Sequence, residues 1–403
     1  MTTPLLTSGA YALSVSDLGG GQSRYGALAL TRWSGDVTTD NDGFFLYVRD
    51  VESGHLWSAG LQPTLARPTR YAIRRSPRHV EIVREDNGIE LQTVIALTSD
   101  GCAELRRYTL VNHGHTNRRL ELTTYAEVVL NTPAGDAGHP AFSKLFVQTE
   151  YDAERDALFA RRRQRSPDDP TLWLVHAFVS HDALGTAPVE EYETDRMRFV
   201  GRGRTLAAPR ALSSDTSLSQ TTGNVLDPVI AMRRVVEVTP GARVTVTALL
   251  GAGADRTAVE RIVARFADSA AIDVAMGQAA TADALIDVEL PSLVDAATDP
   301  YRRARIADSP PGLEADDNET EALTSENGFG GFSADGTEYV VRIHGSDAGP
   351  VRPPLPWVNV IANGDVGFLV SESGASNTWS ANSREHRLTP WLNDPVSDPH
   401  GEA

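Results

Sequence analysis

The sequence predicts a mainly β protein, with a large antiparallel sandwich over residues 1–255 and the truncated start of a second sandwich over 327–403. Three observations carry that reading. Apolar and polar side chains alternate with period two along much of the first part of the chain, and tight polar turns punctuate them. Past the first sandwich the apolar residues recur at helical spacing instead. Finally, a segment near the end of the chain repeats one near its beginning.

The elements follow in order. HVEIVRE (79–85), IELQTVIALT (89–98), AELRRYTLVN (103–112) and RLELTTYAEVVL (119–130) alternate in character. Asp86-Asn87-Gly88, Ser99-Asp100-Gly101 and the His113–Asn117 turn separate them, so the four read as one meander with a single buried face. Strand-like sequence continues at 171–180, 231–240 and 242–253, which makes one all-β sandwich of a size such folds reach without splitting. Thr257–Phe266 then sets Val259, Ile262, Val263 and Phe266 on one helical face, and the alanine-rich Ala270–Ile286 also reads as helix. Residues 256–308 are therefore expected to be a helical linker. Pro310-Pro311-Gly312 breaks the pattern, and 306–341 holds nine Asp or Glu with no Lys, Arg or His. That composition predicts an acidic flexible linker over 309–326. Strand-type sequence returns at 338–345 and 357–374.

Composition narrows the functional classes. With 41% hydrophobic and 23% charged residues, the 403-residue chain has the balance of a soluble globular protein. A formal charge of −17 opposes nucleic acid and anionic membranes as partners, since both need a basic footprint. No stretch approaches the roughly 18 apolar residues of a membrane span, and Met1–Leu13 has no basic region of a secretory signal. Cys102 is the single cysteine, which excludes an intrachain disulfide and a cysteine-built metal site. Lys144 is the single lysine, read as composition bias. These bounds predict an acidic, soluble, cytoplasmic protein with neither cofactor nor metal.

The repeat is the most informative motif. LTRWSGDVTTD (30–40) matches LTPWLNDPVSD (388–398), equating Leu30, Thr31, Trp33, Asp36 and Asp40 with Leu388, Thr389, Trp391, Asp394 and Asp398. Upstream, LSVSDLGG (13–20) is similar to LVSESG (369–374). The first copy has about 250 residues in which to close a sandwich and the second far fewer, which leaves strand edges and a core face to cover. The second copy is then expected to borrow partners from the first domain, to pair with another chain as a homo-oligomer or with a catalytic-domain partner, or to be a truncated piece of something longer, and truncation is the plainest reading.

At these residues a family becomes recognisable. The repeat segments, with TYAEVVL (124–130), HPAFSKLFVQTEY (139–151), YETDRMRFVGRGRTL (192–206) and NSREHRLTPWLNDPVSDPHGEA (382–403), resemble the phosphorylase-like C-terminal region of bacterial cyclic β-1,2-glucan synthases. That region is related to inverting glycoside phosphorylases of the glycosyltransferase 36 type. The resemblance implies a galactose-mutarotase-like β-supersandwich, glycosyl transfer or phosphorolysis of β-glucans in the complete enzyme, and a general acid carried on an (α/α) barrel. These residues contain no such barrel, so the general acid has no position here and the isolated chain is expected to be inactive. Complete members would be tethered to the inner membrane by regions absent here. The expected partner is a β-glucan oligosaccharide or polysaccharide, and the alternative function is a stand-alone carbohydrate-binding or scaffolding protein.

The candidate substrate-binding residues are Arg384, Arg387, Trp391, Asn393, Asp394 and Asp398. A tryptophan face stacks on a pyranose while carboxylates and amides bond hydroxyls. The competing reading has Trp391 filling a core pocket and the aspartates shaping turns, and the repeat at Trp33, Asp36 and Asp40 favours it. Asp40-Asn41-Asp42-Gly43 lacks the later glutamate of a calcium loop and reads as a polar turn. The basic run 161–165 reads as a solvated or salt-bridged arm, Gly19-Gly20-Gly21 as a turn, and no catalytic residue is assigned.

Overall fold

A computed structural model describes residues 5–36, 39–167, 169–181, 191–213, 216–280, 286–288, 322–346, 349–391 and 393–398. The chain forms two units, one of Met1–Phe199 with Leu206–Arg303, the other of Val200–Thr205 with Ala304–Ala403. None of the described helices is long and apolar enough to cross a membrane.

The first unit opens with β1 (Leu5–Ser8), β2 (Tyr11–Val15), β3 (Gly21–Tyr25), β4 (Leu28–Thr31), β5 (Phe44–Asp50) and β6 (Leu56–Ser58). The meander β7 (Arg70–Arg75), β8 (His79–Asp86), β9 (Ile89–Leu97) and β10 (Ala103–Asn112) follows, then the long β11 (Arg118–Asn131). Two short helices, α1 (Pro133–Gly138) and α2 (Pro140–Lys144), lead into β12 (Val147–Asp152), β13 (Ala157–Arg162) and β14 (Trp173–Ser180). After β15 (Glu191–Asp195) and α3 (Arg196–Val200) come β16 (Pro228–Val238) and β17 (Arg243–Gly253). The unit ends in α4 (Arg256–Phe266), α5 (Ser269–Ala280) and β18 (Ile286–Val288).

Among the described residues these strands make two antiparallel sheets of nine. One runs β1-β2-β3-β4-β11-β16-β15, with β5 and β6 joined through β11. The other runs β12-β13-β14-β17-β10-β9-β8-β7-β18. The four-strand meander therefore needs correction. β7 to β10 pair in series, but β10 then pairs with β17 while β11 joins the opposite sheet, between β16 and the β4–β5 side. Alternation marks β11 as a strand with a buried face; it says nothing of which sheet that strand enters.

Apolar side chains from both sheets close one core, with Tyr11, Leu13, Leu30, Val48, Trp57, Ile82, Leu91, Leu110, Leu122 and Leu250 essentially inaccessible. Polar bridges cross that core. Glu104 on β10 accepts from Tyr11 Oη at 3.1 Å and Ser23 Oγ at 2.5 Å on the opposite sheet, and from its neighbour Arg106 Nε at 2.5 Å. Arg106 Nη1 in turn donates to Phe44 O at 2.6 Å. Each buried charge is thus paired and bonded, the condition for tolerating it. The one lysine is also buried, its Nζ 2.7 Å from Asp227 Oδ1, in a network that links Arg196, Glu127, Arg32 and Asp136.

The expected helical linker is a layer of the first unit instead. α4 begins at an Asp255 cap, whose Oδ1 accepts from Ala258 N at 2.8 Å. Its apolar face, Val259, Ile262, Val263 and Phe266, packs with Ile272 and Met276 of α5 against Leu105, Phe159, Val175 and Leu249 on the outer face of the second sheet. An amphipathic stripe needs an apolar floor, and that sheet supplies it. Most of 281–321, including 309–321 of the expected acidic linker, lies outside the described residues.

The second unit contains β19 (Gly330–Phe332) with β20 (Tyr339–Val341), β21 (His344–Ser346) with β22 (Gly349–Val351), and a three-stranded sheet of β23 (Val358–Ala362), β24 (Val366–Ser371) and β25 (Ser376–Ser380). The sequence repeat is a structural repeat. Ser16 N donates to Gly20 O at 2.8 Å across the β2–β3 turn, and Ser371 N donates to Ala375 O at 2.7 Å across the β24–β25 turn. Ser23 N donates to Thr31 Oγ1 at 2.9 Å, and Thr378 N to Thr389 Oγ1 at 2.8 Å. Asp40 N reaches Asp36 O, and Asp398 N reaches Asp394 O, both at 2.9 Å. Both closing aspartates take a left-handed conformation, φ 47° and 40°.

Candidate carbohydrate-facing site

The second unit gathers its polar groups at the β24–β25 turn. Trp357 and Glu372 clamp each other through the backbone and a side chain: Trp357 N donates to Glu372 Oε2 at 2.7 Å, and Glu372 N to Trp357 O at 3.1 Å. Arg202, from the short 200–205 segment that belongs to this unit, donates through Nη2 to Glu372 Oε1 at 2.5 Å and to Asp398 Oδ2 at 3.1 Å. Asp398 Oδ2 accepts further from Ser371 Oγ at 3.1 Å and from Ser373 Oγ. Two carboxylates and one guanidinium are thereby tied into the turn that starts β25.

A cavity of about 660 Å³ lies beside this cluster, lined among others by Tyr339, Trp357, Asn359, Ser371 and Glu372. Its aromatic wall is built edge to face: Trp357 lies 5.8 Å from Tyr339 and 6.0 Å from Phe329, and Tyr339 lies 4.9 Å from Phe332. An indole and a phenol facing an amide, a hydroxyl and a carboxylate suit a neutral ligand with apolar faces and a hydroxyl rim.

The six residues singled out from sequence occupy two neighbouring turns. Asp394 Oδ1 caps its own turn, accepting from Val396 N at 3.0 Å and Ser397 N at 3.3 Å. Asn393 is left-handed at φ 48°, and Trp391 is half-buried. Asp398 is buried in the Arg202 cluster. Arg384 and Arg387 sit in the 382–387 turn; Arg384 is exposed with Nε 3.2 Å from Glu385 Oε1, and Arg387 Nε donates to Ser383 O at 3.3 Å. The first copy repeats the aspartate arrangement, with Asp40 Oδ2 accepting from Ser16 Oγ at 2.5 Å while Trp33 is 48% exposed. Both closing aspartates therefore hold the loop to the preceding hairpin. Replacing Asp398 with alanine leaves the half-buried Arg202 charge with one fewer carboxylate and should cost about 2–3 kcal/mol of second-unit stability, read by chemical denaturation.

Sequence reasoning gave no role to Tyr339, Trp357 or Glu372. The signal was Glu372 inside LVSESG, at the position where the first copy has Asp17. The basic run 161–165, read as a solvated or salt-bridged arm, is largely exposed. Its guanidiniums also lie on aromatic rings, Arg161 over Trp173 at 5.4 Å and Arg165 over Phe146 at 5.4 Å, and Arg162 and Arg163 donate to the carbonyls of Ser143 and Leu145. Cation–π stacking and loop carbonyls hold this exposed arm. Asp42 Oδ2 accepts from Ser34 N and Oγ at 2.5 and 2.6 Å, as a polar turn requires.

The geometry defines a large two-sheet sandwich with a helical outer layer, whose opening meander and closing loop recur in a second unit. The chain belongs to the glycosyl hydrolase 94 supersandwich domain family, whose model matches residues 2–269 and 337–403. Cyclic beta-(1,2)-glucan synthase NdvB of Rhizobium meliloti (strain 1021) is 28% identical over 569 aligned positions, covering 100% of this chain and 20% of that protein. The alignment is longer than the 403 residues, so the relative carries residues within the aligned span that have no counterpart here. Solabiose phosphorylase of Paenibacillus borealis is 24% identical over 59% of this chain and 30% of its own length. N,N'-diacetylchitobiose phosphorylase of Vibrio furnissii is 23% identical over 61% of this chain and 29% of its own length. The chain spans less than a third of each of these relatives.

Proposed function

We propose that these 403 residues are the glucan-holding and scaffolding sandwich part of a protein that transfers or phosphorolyses β-linked glucosyl units, with bond cleavage carried out by residues outside them. The observation that supports this most is the family match over both stretches of a chain that covers one fifth of a glucan synthase. In this reading a β-1,2-linked oligoglucan lies against Tyr339 and Trp357, with Asn359 and Glu372 bonding its hydroxyls. Arg384, Arg387, Trp391 and Asn393 extend the same surface, while Asp394 and Asp398 hold its loops.

Two measurements test it. Calorimetric titration with linear β-1,2-oligoglucans should give a saturable isotherm that Trp357→Ala weakens at least tenfold, about 1.4 kcal/mol, with a smaller loss for Trp391→Ala. Absence of binding, or binding indifferent to Trp357, overturns the site. The same protein with oligoglucan and inorganic phosphate should release no glucose 1-phosphate, since loss of a general acid alone removes about 10²–10⁴-fold in rate. Release at an ordinary enzymatic rate would place a proton donor within these residues and sink the scaffolding reading.

A further inference from the structure

A cavity of about 300 Å³ in the first unit plays no part in the glucan site. One wall is the segment that follows β11, with Asn131, Thr132, His139 and Phe142. The other is the end of β13 and the loop beyond it, with Arg162, Arg163 and Arg165. The β12–β13 register sets Arg162 opposite Val147, and its Nη1 then reaches back to Ser143 O at 2.8 Å. The two capping side chains of the first wall each keep a proton to give. Thr132 Oγ1 accepts from Gly135 N at 3.1 Å, and His139 Nδ1 accepts from Phe142 N at 3.2 Å. The threonine hydroxyl proton and the imidazole Nε2–H remain as donors.

The protein leaves the charge on the second wall uncompensated. Among the described residues Arg162, Arg163 and Arg165 form no ion pair, in a chain with 54 acidic residues against 37 basic ones. Asp169 also lines the cavity, but its Oδ2 is taken by Arg165 N at 2.8 Å and Ser166 N at 3.1 Å. Asp136, the other acid whose charge reaches Arg162, is held by Arg32 Nη1 at 2.6 Å. Burial lowers the Arg162 pKa from its ordinary value and the Arg165 charge adds to that, against the pull of Asp136 and Asp169. The guanidiniums are nonetheless fixed in place. Arg163 Nη2 donates to Leu145 O at 3.0 Å, and Arg165 stacks over Phe142 at 5.5 Å and Phe146 at 5.4 Å. A guanidinium stacked on a ring keeps the donors along its edge for a ligand.

We infer that this cavity binds a phosphate group, its oxygens taken by the guanidiniums of Arg163 and Arg165, with the Arg162 charge, the Thr132 hydroxyl and the His139 imidazole beside them. A guanidinium edge matches two phosphate oxygens at once, and a dianion answers three cations better than a single carboxylate does. Leu28, Leu130 and Pro170 complete the lining with an apolar wall that suits the carbon skeleton of a phosphate ester. The volume is at the lower end of the roughly 300–1,000 Å³ of small-molecule sites, so the ester is a small one.

Calorimetric titration of the full chain with glucose 1-phosphate, and separately with inorganic phosphate, at one fixed ionic strength tests this. Saturable binding is expected. Tighter binding of the ester assigns the apolar wall to its sugar, and equal affinities assign the site to free phosphate. Arg163→Gln and Arg165→Gln should each weaken binding at least tenfold. Both side chains are exposed, so the fold is retained, which an unchanged thermal midpoint verifies. Arg261→Gln removes the same charge from an exposed position on α4 and should leave the affinity as it was. A wild-type chain that binds neither compound overturns the inference. So does a loss of affinity in Arg261→Gln equal to that in Arg163→Gln and Arg165→Gln, since the binding would then follow net charge alone. No oligoglucan is present in these titrations, so their failure leaves the glucan site standing.

Discussion

Substituting Arg84 with methionine should destabilise the first unit by about 3–5 kcal/mol, the range expected when one partner of a buried ion pair is removed. Arg84 is fully buried on β8. Its Nε and Nη2 engage both oxygens of Asp86, at 2.6 and 2.8 Å, in the two-pronged geometry that matches guanidinium to carboxylate. The remaining donors reach Ser58 O at 2.8 Å, Ala66 O at 3.0 Å and Gly60 O. One side chain thus satisfies three carbonyls of the 58–66 loop along with a buried acid. Methionine fills much of the volume and none of the bonds, leaving Asp86 charged and enclosed. Urea unfolding of Arg84→Met beside the double variant Arg84→Met/Asp86→Leu is the decisive measurement. The double variant should recover a large part of the loss, because the uncompensated charge is gone. Equal stabilities of wild type and Arg84→Met would show that the loop holds without it.

The second large effect is a dependence of stability on pH centred on His176. This imidazole on β14 bridges the sheets. Its Nδ1–H donates to Leu249 O at 2.9 Å on the adjacent strand, and its Nε2 accepts from Thr124 Oγ1 at 2.8 Å on β11 of the opposite sheet. The carbonyl can only accept, so Nδ1 carries a proton, and burial disfavours a second one on Nε2, which leaves the ring neutral at pH 7. Burial pushes the pKa down from the ordinary 6.5 to about 4, partly offset by the bond to Leu249. Between those values the unfolded chain binds a proton that the native ring refuses, so stability rises with pH across the window. The contribution is intact above pH 6.5 and is lost as pH falls toward 4, about 3 kcal/mol in all. His176→Gln should be less stable at pH 7 and show a flatter decline between pH 6.5 and 4 in denaturant unfolding. Parallel curves for the two proteins would mean that the ring titrates normally in the native state.

The strands and the repeat could be read from sequence because their signals are local. Period-two alternation placed β8, β9 and β10 nearly to the residue, and the four-residue recurrence of Val259, Ile262, Val263 and Phe266 placed α4. Five coincident residues revealed the duplication of 30–40 in 388–398, and matched hydrogen bonds at Thr31 and Thr389 and at Asp40 and Asp398 recur in the structure. The tertiary structure alone decided where each local piece goes. Alternation gives β11 a buried face but cannot choose between sheets, because both present apolar side chains to the same core. A helical stripe cannot tell a linker from a layer, since the floor under α4 comes from strands up to 160 residues earlier. Likewise Asp398 could be paired in sequence with Asp40, but its use was settled by Arg202, some 196 residues away, and Ser371. Side-chain periodicity is a property of a segment, whereas charge pairing and sheet membership depend on distant groups that only folding brings within bonding distance.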